Sequence, residues 1–263
     1  MMYFVADGCS DCGRVRVHNE DTFRLDSERG LFVVADGMGG HAGGEVASAL
    51  AVETVFRTLL GCEDGKAEYC NKEALQTAIE LANHTIYQDA HIHPERKGMG
   101  TTLTCMCWGR GQFYFGHVGD SRIYRLRGYE LTQLTRDHTW VEMQVRAGML
   151  SQQEAEHARM RHVLVKSLGT QPEIEPDIAP VDVEPKDRFL LCSDGLSDLV
   201  EHNDLRNILA GNGTLAEIAR RLIEKANALG GRDNITAIVI DCYDNKWKSI
   251  IKSALNKILR IRR

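Results

Sequence analysis

The stretch L-F-V-V-A-D-G-M-G-G-H-A-G-G-E, residues 31–45, combines a strand pattern, a glycine-rich turn and the start of a helix pattern. Its apolar run predicts a buried strand from Leu31 to Ala35 that ends in Asp36-Gly37. Apolar residues at helical spacing then predict a helix from Gly43 to Leu60. A second apolar run, F-L-L-C-S-D-G at residues 189–195, also ends in an aspartate and a glycine. Two strands that each deliver a carboxylate predict a site where acidic side chains converge.

Composition limits the classes of protein to consider. The 263 residues are 43% hydrophobic and 26% charged, which is typical of a globular protein with a sizeable core. The net charge is −5, yet residues 246–263 carry seven Lys/Arg and no acid, so residues 1–245 hold 25 basic and 37 acidic groups. An acidic body argues against a nucleic-acid partner and fits a site that collects cations. Neither a signal peptide nor a membrane span is recognisable, so we expect a cytoplasmic protein.

The eight cysteines are scattered, and in a chain without an export signal we expect reduced thiols. Cys9 and Cys12 form a C-x-x-C pair, but no second pair at zinc spacing follows, which favours loop and core thiols over a zinc or redox site. Cys105 and Cys107 alternate in a predicted strand, so both are expected on one face of a sheet.

Strand and helix patterns come in blocks along the chain, which favours an α+β fold over a doubly wound sheet. Between residues 101 and 134, short strands are separated by tight turns, and this predicts an antiparallel meander. Residues 137–176 are polar with short helical pieces, typical of an irregular insertion. The other predicted elements are strands at 3–9, 22–26, 178–183, 188–192 and 235–242 and helices at 72–91 and 214–229.

Acidic residues stand at the ends, starts and turns of the predicted strands: Asp36, Asp194, Asp233, Asp120, Glu20 and Asp21. A single Asp-Gly pair is more often a plain turn, but its repetition at buried strand ends favours a site. Mg²⁺ and Mn²⁺ prefer oxygen ligands, and the Gly37 carbonyl could add to the carboxylates. Two such ions about 4 Å apart activate a shared water for attack on phosphorus. The pattern therefore predicts a metal-dependent hydrolase.

Two further residues could serve a phosphate substrate. Arg16 could bind a phosphate in a bidentate manner, although its spacing alone fits a solvated surface arginine better. His41, in the glycine loop, could be a general acid for the leaving alkoxide, or it could pack within the loop.

Several motifs carry a family resemblance, and they occur in order over about residues 7–242: R-x-x-N-E-D, A-D-G-M-G-G-H-A-G-G-E-x-A-S, M-G-T-T, V-G-D-S-R-x-Y, T-x-D-H, L-L-C-S-D-G-L and G-x-x-D-N-I-T. Together they resemble the metal-dependent protein phosphatase 2C family, specifically its bacterial serine/threonine phosphatases. The resemblance implies a four-layer α-β-β-α sandwich with a central antiparallel β-sandwich and a small helical flap at about residues 137–176. It also implies that a metal-bridging hydroxide, held by Mn or Mg, hydrolyses phosphoserine and phosphothreonine.

By resemblance, Asp36 would bridge two metal ions. Glu20 and the Gly37 carbonyl would complete one site, and Asp194 and Asp233 the other.

The resemblance extends to residues around these ions. Asp120 would bind a third, weaker ion together with Asp194. Asp21 would orient metal-bound water, Arg16 would bind phosphate, and Thr101 and Asn234 would support the site. Animal members have D-G-H where this chain has D-G-M-G-G-H, which displaces His41 from the position of the general acid.

Residues 1–243 are thus predicted to form the catalytic domain and residues 244–263 a basic amphipathic tail. The tail has the pattern of a helix that binds a membrane surface or a protein, with docking on its own acidic body as the alternative. The expected partners are phosphoprotein substrates and an opposing serine/threonine kinase, with no nucleic acid. The protein is expected to be a monomer, with peripheral contact to the inner membrane surface as an option. The rival interpretations are a phosphoprotein-binding module that has lost turnover and a sporulation- or stress-type phosphatase with one substrate.

Overall fold

A computed structural model describes residues 2–39, 42–61 and 70–244. Two antiparallel sheets form its centre. The first sheet has five strands in the order β1-β11-β10-β7-β8. Their bounds are β1 Met2–Asp11, β7 Arg122–Arg127, β8 Glu130–Gln133, β10 Arg188–Cys192 and β11 Ile235–Asp244.

The second sheet has the order β2-β3-β5-β6-β9, with the short β4 paired to β3. Its strands are β2 Asp21–Asp26, β3 Leu31–Met38, β4 Gly100–Thr101, β5 Leu103–Gly109, β6 Gln112–Val118 and β9 Asp177–Val181. The helices are α1 Ala42–Leu60, α2 Lys72–Ile92, α3 Trp140–Arg146, α4 Gln152–His157, α5 Asp194–Ser197, α6 His202–Leu209 and α7 Leu215–Ala228. A 3₁₀ turn, Pro94–Arg96, follows α2.

Alternation along β3 shows how the strands separate the layers. Leu31 and Val33 pack in a cluster with α1 and α2, whereas Phe32 and Val34 pack in a cluster between the sheets. On the far side of the first sheet, Leu222 of α7 belongs to a third cluster. The predicted four-layer α-β-β-α sandwich is therefore confirmed, and the short helical pieces of residues 137–176 are present as α3 and α4.

Local capping explains where several helices begin. The Thr214 side chain accepts a hydrogen bond from the Glu217 amide and Glu217 bonds back, forming a capping box at α7. Ser151 and Glu154 do the same for α4, and Asn71 caps α2. Within the described residues, no helix combines the length and apolar character needed to cross a bilayer.

The prediction of one meander over residues 101–134 was wrong. Strands β5 and β6 pair within the second sheet, while β7 and β8 pair within the first. Residues 119–121, which looked like a hairpin turn, instead carry the chain from one sheet to the other. Gly119 adopts a φ of +106°, a conformation that side chains disfavour. This crossover places Asp120 at the end of the sandwich.

Two smaller predictions also need correction. Strand β3 does not end at Ala35, because Gly37 and Met38 pair with β4. The expectation of reduced thiols fails for Cys70 and Cys107, which form a disulfide between the chain before α2 and the middle of the second sheet. Cys105 and Cys107 lie in the same core cluster, as their alternation predicted.

Candidate metal centre

Asp36 lies in β3 at one end of the sandwich, where its backbone is fixed from both sides. Its N–H donates to the Thr102 hydroxyl at 3.0 Å. Its carbonyl accepts from the Thr101 hydroxyl at 2.8 Å and from the Thr102 N–H at 2.9 Å. The position of the Asp36 carboxylate is therefore set by a strand rather than by a free turn.

Glu20 approaches the same point from the start of β2. Its carbonyl accepts from the Gly37 N–H at 3.2 Å, and its N–H donates to the Asn234 side chain at 2.8 Å. A Cβ atom on Gly37 would overlap the carbonyl oxygens of Gly44 and Glu20, and one on Gly44 would overlap the Glu20 carboxylate. Glycine at both positions therefore allows β2, β3 and α1 to meet closely around the Glu20 side chain.

The first sheet contributes the opposite wall. Asp194 begins α5 two residues after the end of β10, and Asp233 stands two residues before β11. The Asn234 side chain donates to the carbonyls of Cys12 at 3.0 Å and His18 at 2.9 Å. Asn234 thus joins the loop that precedes Glu20 to the start of β11, so carboxylates from both sheets face one another.

Asp21 is buried behind this wall. One oxygen of its carboxylate accepts from the Ser193 hydroxyl at 2.7 Å and from the Thr236 hydroxyl at 2.6 Å. The other oxygen, Oδ1, is buried without a hydrogen-bond partner. Because Thr236 lies in β11 and Ser193 directly follows β10, Asp21 also connects the two sheets.

The carboxylates disfavour one another's ionisation. Burial, followed by the charges of Asp21 and Asp194, raises the pKa of Asp36 well above its usual value. Burial also raises the pKa of Asp21 to about 7 and that of Asp194 to about 6. Burial and the Asp194 charge raise the pKa of Asp120 in the same direction. The protein alone therefore leaves a concentration of negative charge that needs either protons or cations.

This donor set fits hard divalent cations. Asp194 Oδ1 is buried without a hydrogen-bond partner, as an oxygen available to a cation would be. Carboxylates and a backbone carbonyl are the ligands that Mg²⁺ and Mn²⁺ prefer, and bound cations would lower the pKa values that crowding raises.

A cavity of about 550 Å³ opens onto these residues. The Arg16 guanidinium stands at its rim, with Nη2 2.8 Å from Asp233 Oδ2 and 56% of the side chain exposed. On the other side the cavity is lined by residues of the segment between α4 and β9, including His162, Val165 and Thr170. The cavity thus presents an accessible cationic group next to a carboxylate cluster, an arrangement that can hold a phosphate between Arg16 and bound cations.

Most of the predicted site residues surround this one cavity: Arg16, Glu20, Asp36, Gly37, Asp120, Asp194, Asp233 and Asn234. Asp21 and Thr101 lie behind them and support the backbone or the neighbouring strand. His41 lies outside the described residues, so its predicted role stays a prediction.

One acidic residue near the centre escaped the sequence interpretation. A carboxylate oxygen of Asp198 lies within 4.8 Å of a ligand atom of Asp194 and of His162, and His162 Nδ1 is 3.0 Å from Asp198 Oδ2. The signal was present in S-D-G-L-S-D, since residues four apart share one face of a helix. It was missed because Asp194-Gly195 was interpreted as the end of a strand, whereas the helix α5 begins at Asp194 and is capped by Asp198.

A profile of the family described as protein phosphatase 2C matches residues 12–236. The chain belongs to the protein phosphatase 2C family. The serine/threonine phosphatase stp of Listeria monocytogenes is 36% identical over 239 residues, which cover 88% of this chain and 93% of that protein. The crystal structure of the Mycobacterium tuberculosis serine/threonine phosphatase PstP superimposes with a TM-score of 0.83 at 38% identity, covering 92% of this chain and 100% of that one. A structure of the PstP catalytic domain in complex with two manganese ions superimposes with a TM-score of 0.82 at 38% identity, covering 93% and 100%.

Proposed function

We propose that this chain is a Mn²⁺- or Mg²⁺-dependent phosphatase that hydrolyses phosphoserine and phosphothreonine in proteins. The observation that carries the proposal is the meeting of carboxylates from both sheets around one cavity, with Arg16 at its rim. Membership of the protein phosphatase 2C family and the likeness to a manganese-loaded relative support it.

In this proposal, the Asp36 carboxylate would serve as a ligand to both of two cations. Glu20 and the Gly37 carbonyl would hold one of them, and Asp194 and Asp233 would hold the other. When bound, the cations supply an activated water and neutralise charge that develops on the phosphoryl group.

The remaining residues position the cluster and the substrate. Asp120 and Asp194 would hold a third, weaker cation. Asp21, fixed by two hydroxyl donors, would orient water at the cation site, while Thr101 and Asn234 fix the backbones of Asp36 and Glu20. Arg16 would bind the phosphate oxygens and orient the phosphoryl group in the cavity.

Asp36→Asn and Asp194→Asn test this assignment most directly. Each removes a charge from the cation site, so we expect hydrolysis of p-nitrophenyl phosphate to fall at least about 1,000-fold. Asp89→Asn is the matched control, because it removes a carboxylate of α2 that pairs with Arg96 rather than one of the site residues. It should keep full activity. Full activity in either site variant would overturn the assignment.

Phosphate release from a phosphopeptide, measured with Mn²⁺ and with EDTA, tests the activity itself. We expect turnover only with the cation. A protein that binds Mn²⁺ and the phosphopeptide but releases no phosphate would instead be a phosphoprotein-binding module.

His41 stays a candidate general acid for the leaving alkoxide. If it serves, His41→Gln should slow phosphopeptides, whose alkoxide leaving group needs a proton, far more than p-nitrophenyl phosphate, whose phenolate does not. Equal effects on both substrates would assign proton donation to another group.

The phosphoprotein substrates imply an opposing serine/threonine kinase. Comparing phosphoproteomes with and without the gene would identify its targets. If phosphoserine or phosphothreonine accumulates on a single protein, the enzyme is a phosphatase with one substrate.

We further propose a cytoplasmic monomer with residues 1–243 as the catalytic domain and the basic residues 244–263 as a contact to membrane surface or protein. Residues 245–263 lie outside those that the structure describes. Sedimentation with anionic vesicles should fall when the chain is truncated after Asp244, with hydrolysis unchanged. Equal sedimentation would exclude the membrane contact.

A further inference from the structure

The T-R-D-H motif at residues 135–138 is not used by the chemistry described above. Its histidine, His138, opens the predicted flap and has a side chain only 10% exposed. Its backbone N–H donates to the Gly119 carbonyl at 2.7 Å, and its carbonyl accepts from the Val165 N–H at 2.8 Å. His138 thus lies between the crossover turn of residues 119–121 and the part of the flap that returns to β9.

The ring of His138 has a defined orientation. Nδ1 accepts a hydrogen bond from the Gly119 N–H at 3.1 Å, while Nε2 lies 3.3 Å from Asp177 Oδ2. A backbone N–H can only donate, so Nδ1 must present its lone pair and the proton must reside on Nε2, facing Asp177. Burial lowers the pKa of His138, which favours this neutral form.

Gly119 directly precedes Asp120, and its conformation fixes where the Asp120 carboxylate points. The φ of +106° is disfavoured for residues with a side chain, and a Cβ atom here would overlap Thr102. The Thr102 and Ser121 hydroxyls share a hydrogen bond of 2.7 Å. The Thr102 hydroxyl also accepts from the Asp36 N–H. A side chain that accepts a hydrogen bond from the Gly119 N–H can therefore fix the conformation of residues 119–121.

The same ring connects both ends of the flap. Asp137, next to His138, accepts bidentate hydrogen bonds from Arg122 on the other side of the Asp120 turn, from Nε to Oδ1 and from Nη2 to Oδ2. Asp177 is the first residue of β9, where the chain leaves the flap. The Asp177 carboxylate, the His138 ring and the Gly119 amide consequently form one chain of contacts from the flap's exit to the Asp120 turn.

We propose that His138 is a positioning residue for Asp120: oriented by Asp177, its ring holds the Gly119 amide and thereby keeps the Asp120 carboxylate at the cation site. The inference rests on the proposed function only in taking Asp120 as a cation ligand. Residues at the start of the flap would then affect the cation site indirectly, although His138 contacts neither a cation nor the substrate.

A purely space-filling role is the competing explanation, since the His117 ring stacks on His138 with centroids 4.8 Å apart. Two polar substitutions separate the roles. In His138→Asn the side-chain oxygen occupies the place of Nδ1 and can still accept from the Gly119 N–H. In His138→Gln the polar group lies at the place of Nε2 and leaves that N–H without its acceptor.

The first measurement is amide hydrogen exchange at Gly119 in the metal-free protein. We expect His138→Gln to lose at least about tenfold of the protection, corresponding to one hydrogen bond of about 1.4 kcal/mol, while His138→Asn stays within about threefold of wild type. Asp177→Ala should lower the protection, and Asp177→Asn, which still accepts from Nε2–H, should not. Equal protection in all variants would overturn the proposal, as would equal losses in the Asn and Gln variants.

The second measurement is calorimetric titration with Mn²⁺. Residues that orient metal ligands typically contribute 10–100-fold in affinity, so His138→Gln should weaken the weakest site by about tenfold and His138→Asn should not. His202→Asn, which alters a histidine bonded to the Leu131 carbonyl, is the matched control. Wild-type Mn²⁺ affinity in His138→Gln would refute the link to the cation site.

Asp120→Asn separates this inference from the proposed function. If Asp120→Asn leaves Mn²⁺ binding unchanged, the assignment of Asp120 as a ligand fails and the link of His138 to the cation site fails with it. The Gly119 exchange result would still decide whether His138 holds the turn. If Asp120→Asn removes the weakest site while His138→Gln does not weaken it, the function stands and the positioning role is refuted.

Discussion

At the scale of single residues, the electrostatics of the carboxylates make cation binding depend on pH. Burial raises the folded-state pKa of Asp21 to about 7 and of Asp194 to about 6, above the value of about 3.9 in an unfolded chain. In the metal-free protein, these two groups therefore contribute most to the free energy of unfolding below about pH 4. That contribution is lost as the pH rises through about 6 to 7 and the carboxyls ionise. Cations that bind the ionised carboxylates offset that loss.

The rise in melting temperature caused by Mn²⁺ should therefore increase between pH 5 and pH 8. We expect it to be larger by about 4 °C or more at pH 8, since one pKa unit corresponds to about 1.4 kcal/mol. Calorimetric scans with Mn²⁺ and with EDTA at each pH measure this difference in melting temperature. Effects of histidine titration that are the same with and without the cation cancel in the difference. Asp194→Asn should flatten the pH dependence, and an unchanged increment from pH 5 to 8 in the wild type would contradict the expectation.

Arg16 should affect substrate binding far more than folding. Its pairing with Asp233 is exposed, so Arg16→Ala should change the free energy of unfolding by no more than about 1 kcal/mol. A charged hydrogen bond to phosphate contributes about 1.5–3 kcal/mol, so kcat/KM should fall about 10- to 150-fold. Arg16→Lys should recover part of the loss, because lysine keeps the charge but not the bidentate geometry.

Arg14→Ala is the matched control for Arg16→Ala, since Arg14 is an exposed arginine of the same loop. Steady-state kinetics on a phosphopeptide should show wild-type kcat/KM for it. Comparable losses in both variants would mean that the loop's overall charge, rather than the Arg16 guanidinium, attracts the substrate.

At the scale of helices and strands, the disulfide between Cys70 and Cys107 ties the start of α2 to β5. The two cysteines are 37 residues apart in sequence. In the chain-entropy model, closing such a loop stabilises the fold by about 3–4 kcal/mol. Dithiothreitol should therefore lower the melting temperature by about 10 °C.

The double variant Cys70→Ser/Cys107→Ser is the control for reduction. Its melting temperature should equal that of the reduced wild type and should not respond to dithiothreitol. Alkylation under denaturing conditions, followed by mass spectrometry, counts the thiols directly. Unmodified Cys70 and Cys107 before reduction support the disulfide, whereas full alkylation of both would refute it.

Several elements were predictable because their sequence patterns are local. The apolar alternation of β3 and the helical spacing of α7 need no distant partner, and both agree with the structure within a few residues. Helix α6 was missed because it is short, has only Leu205 and Leu209 buried, and lacks a side-chain cap. The disulfide and the sheet crossover after β6 were missed because each depends on contacts between distant parts of the chain.

The site was predictable to a similar degree. Aspartates beside strand ends identified which carboxylates converge, since strand ends meet at one edge of a sandwich. Sequence alone could not show that Asp21 would be buried behind them or that Gly119 would depend on His138, because both relations involve hydrogen bonds across the sheets. For Arg16 and for the ligand assignments, the family resemblance contributed what spacing could not.

At the scale of the whole molecule, the proposed cation site belongs to neither sheet alone. Asp36 lies in β3 of the second sheet, whereas Asp194 follows β10 and Asp233 precedes β11 of the first. The packing of the two sheets therefore sets the distances between the carboxylates. A change that loosens this packing should affect cation binding even when it touches no ligand.

Leu190 and Leu191 allow a matched test of this dependence. Both are fully buried neighbours in β10, but Leu191 faces the second sheet while Leu190 faces the helical layer formed by α6 and α7. Replacing either by alanine should cost about 2–5 kcal/mol of unfolding free energy, measured by denaturant titration. Only Leu191→Ala should also weaken Mn²⁺ binding, by about tenfold, because it loosens the layer that sets the position of the ligands. Calorimetric titration with Mn²⁺, at a temperature below the unfolding transition, compares the two variants. Equal Mn²⁺ affinities would show that the hydrogen bonds around Asp36 and Asn234, rather than the packing of the sheets, hold the carboxylates in place.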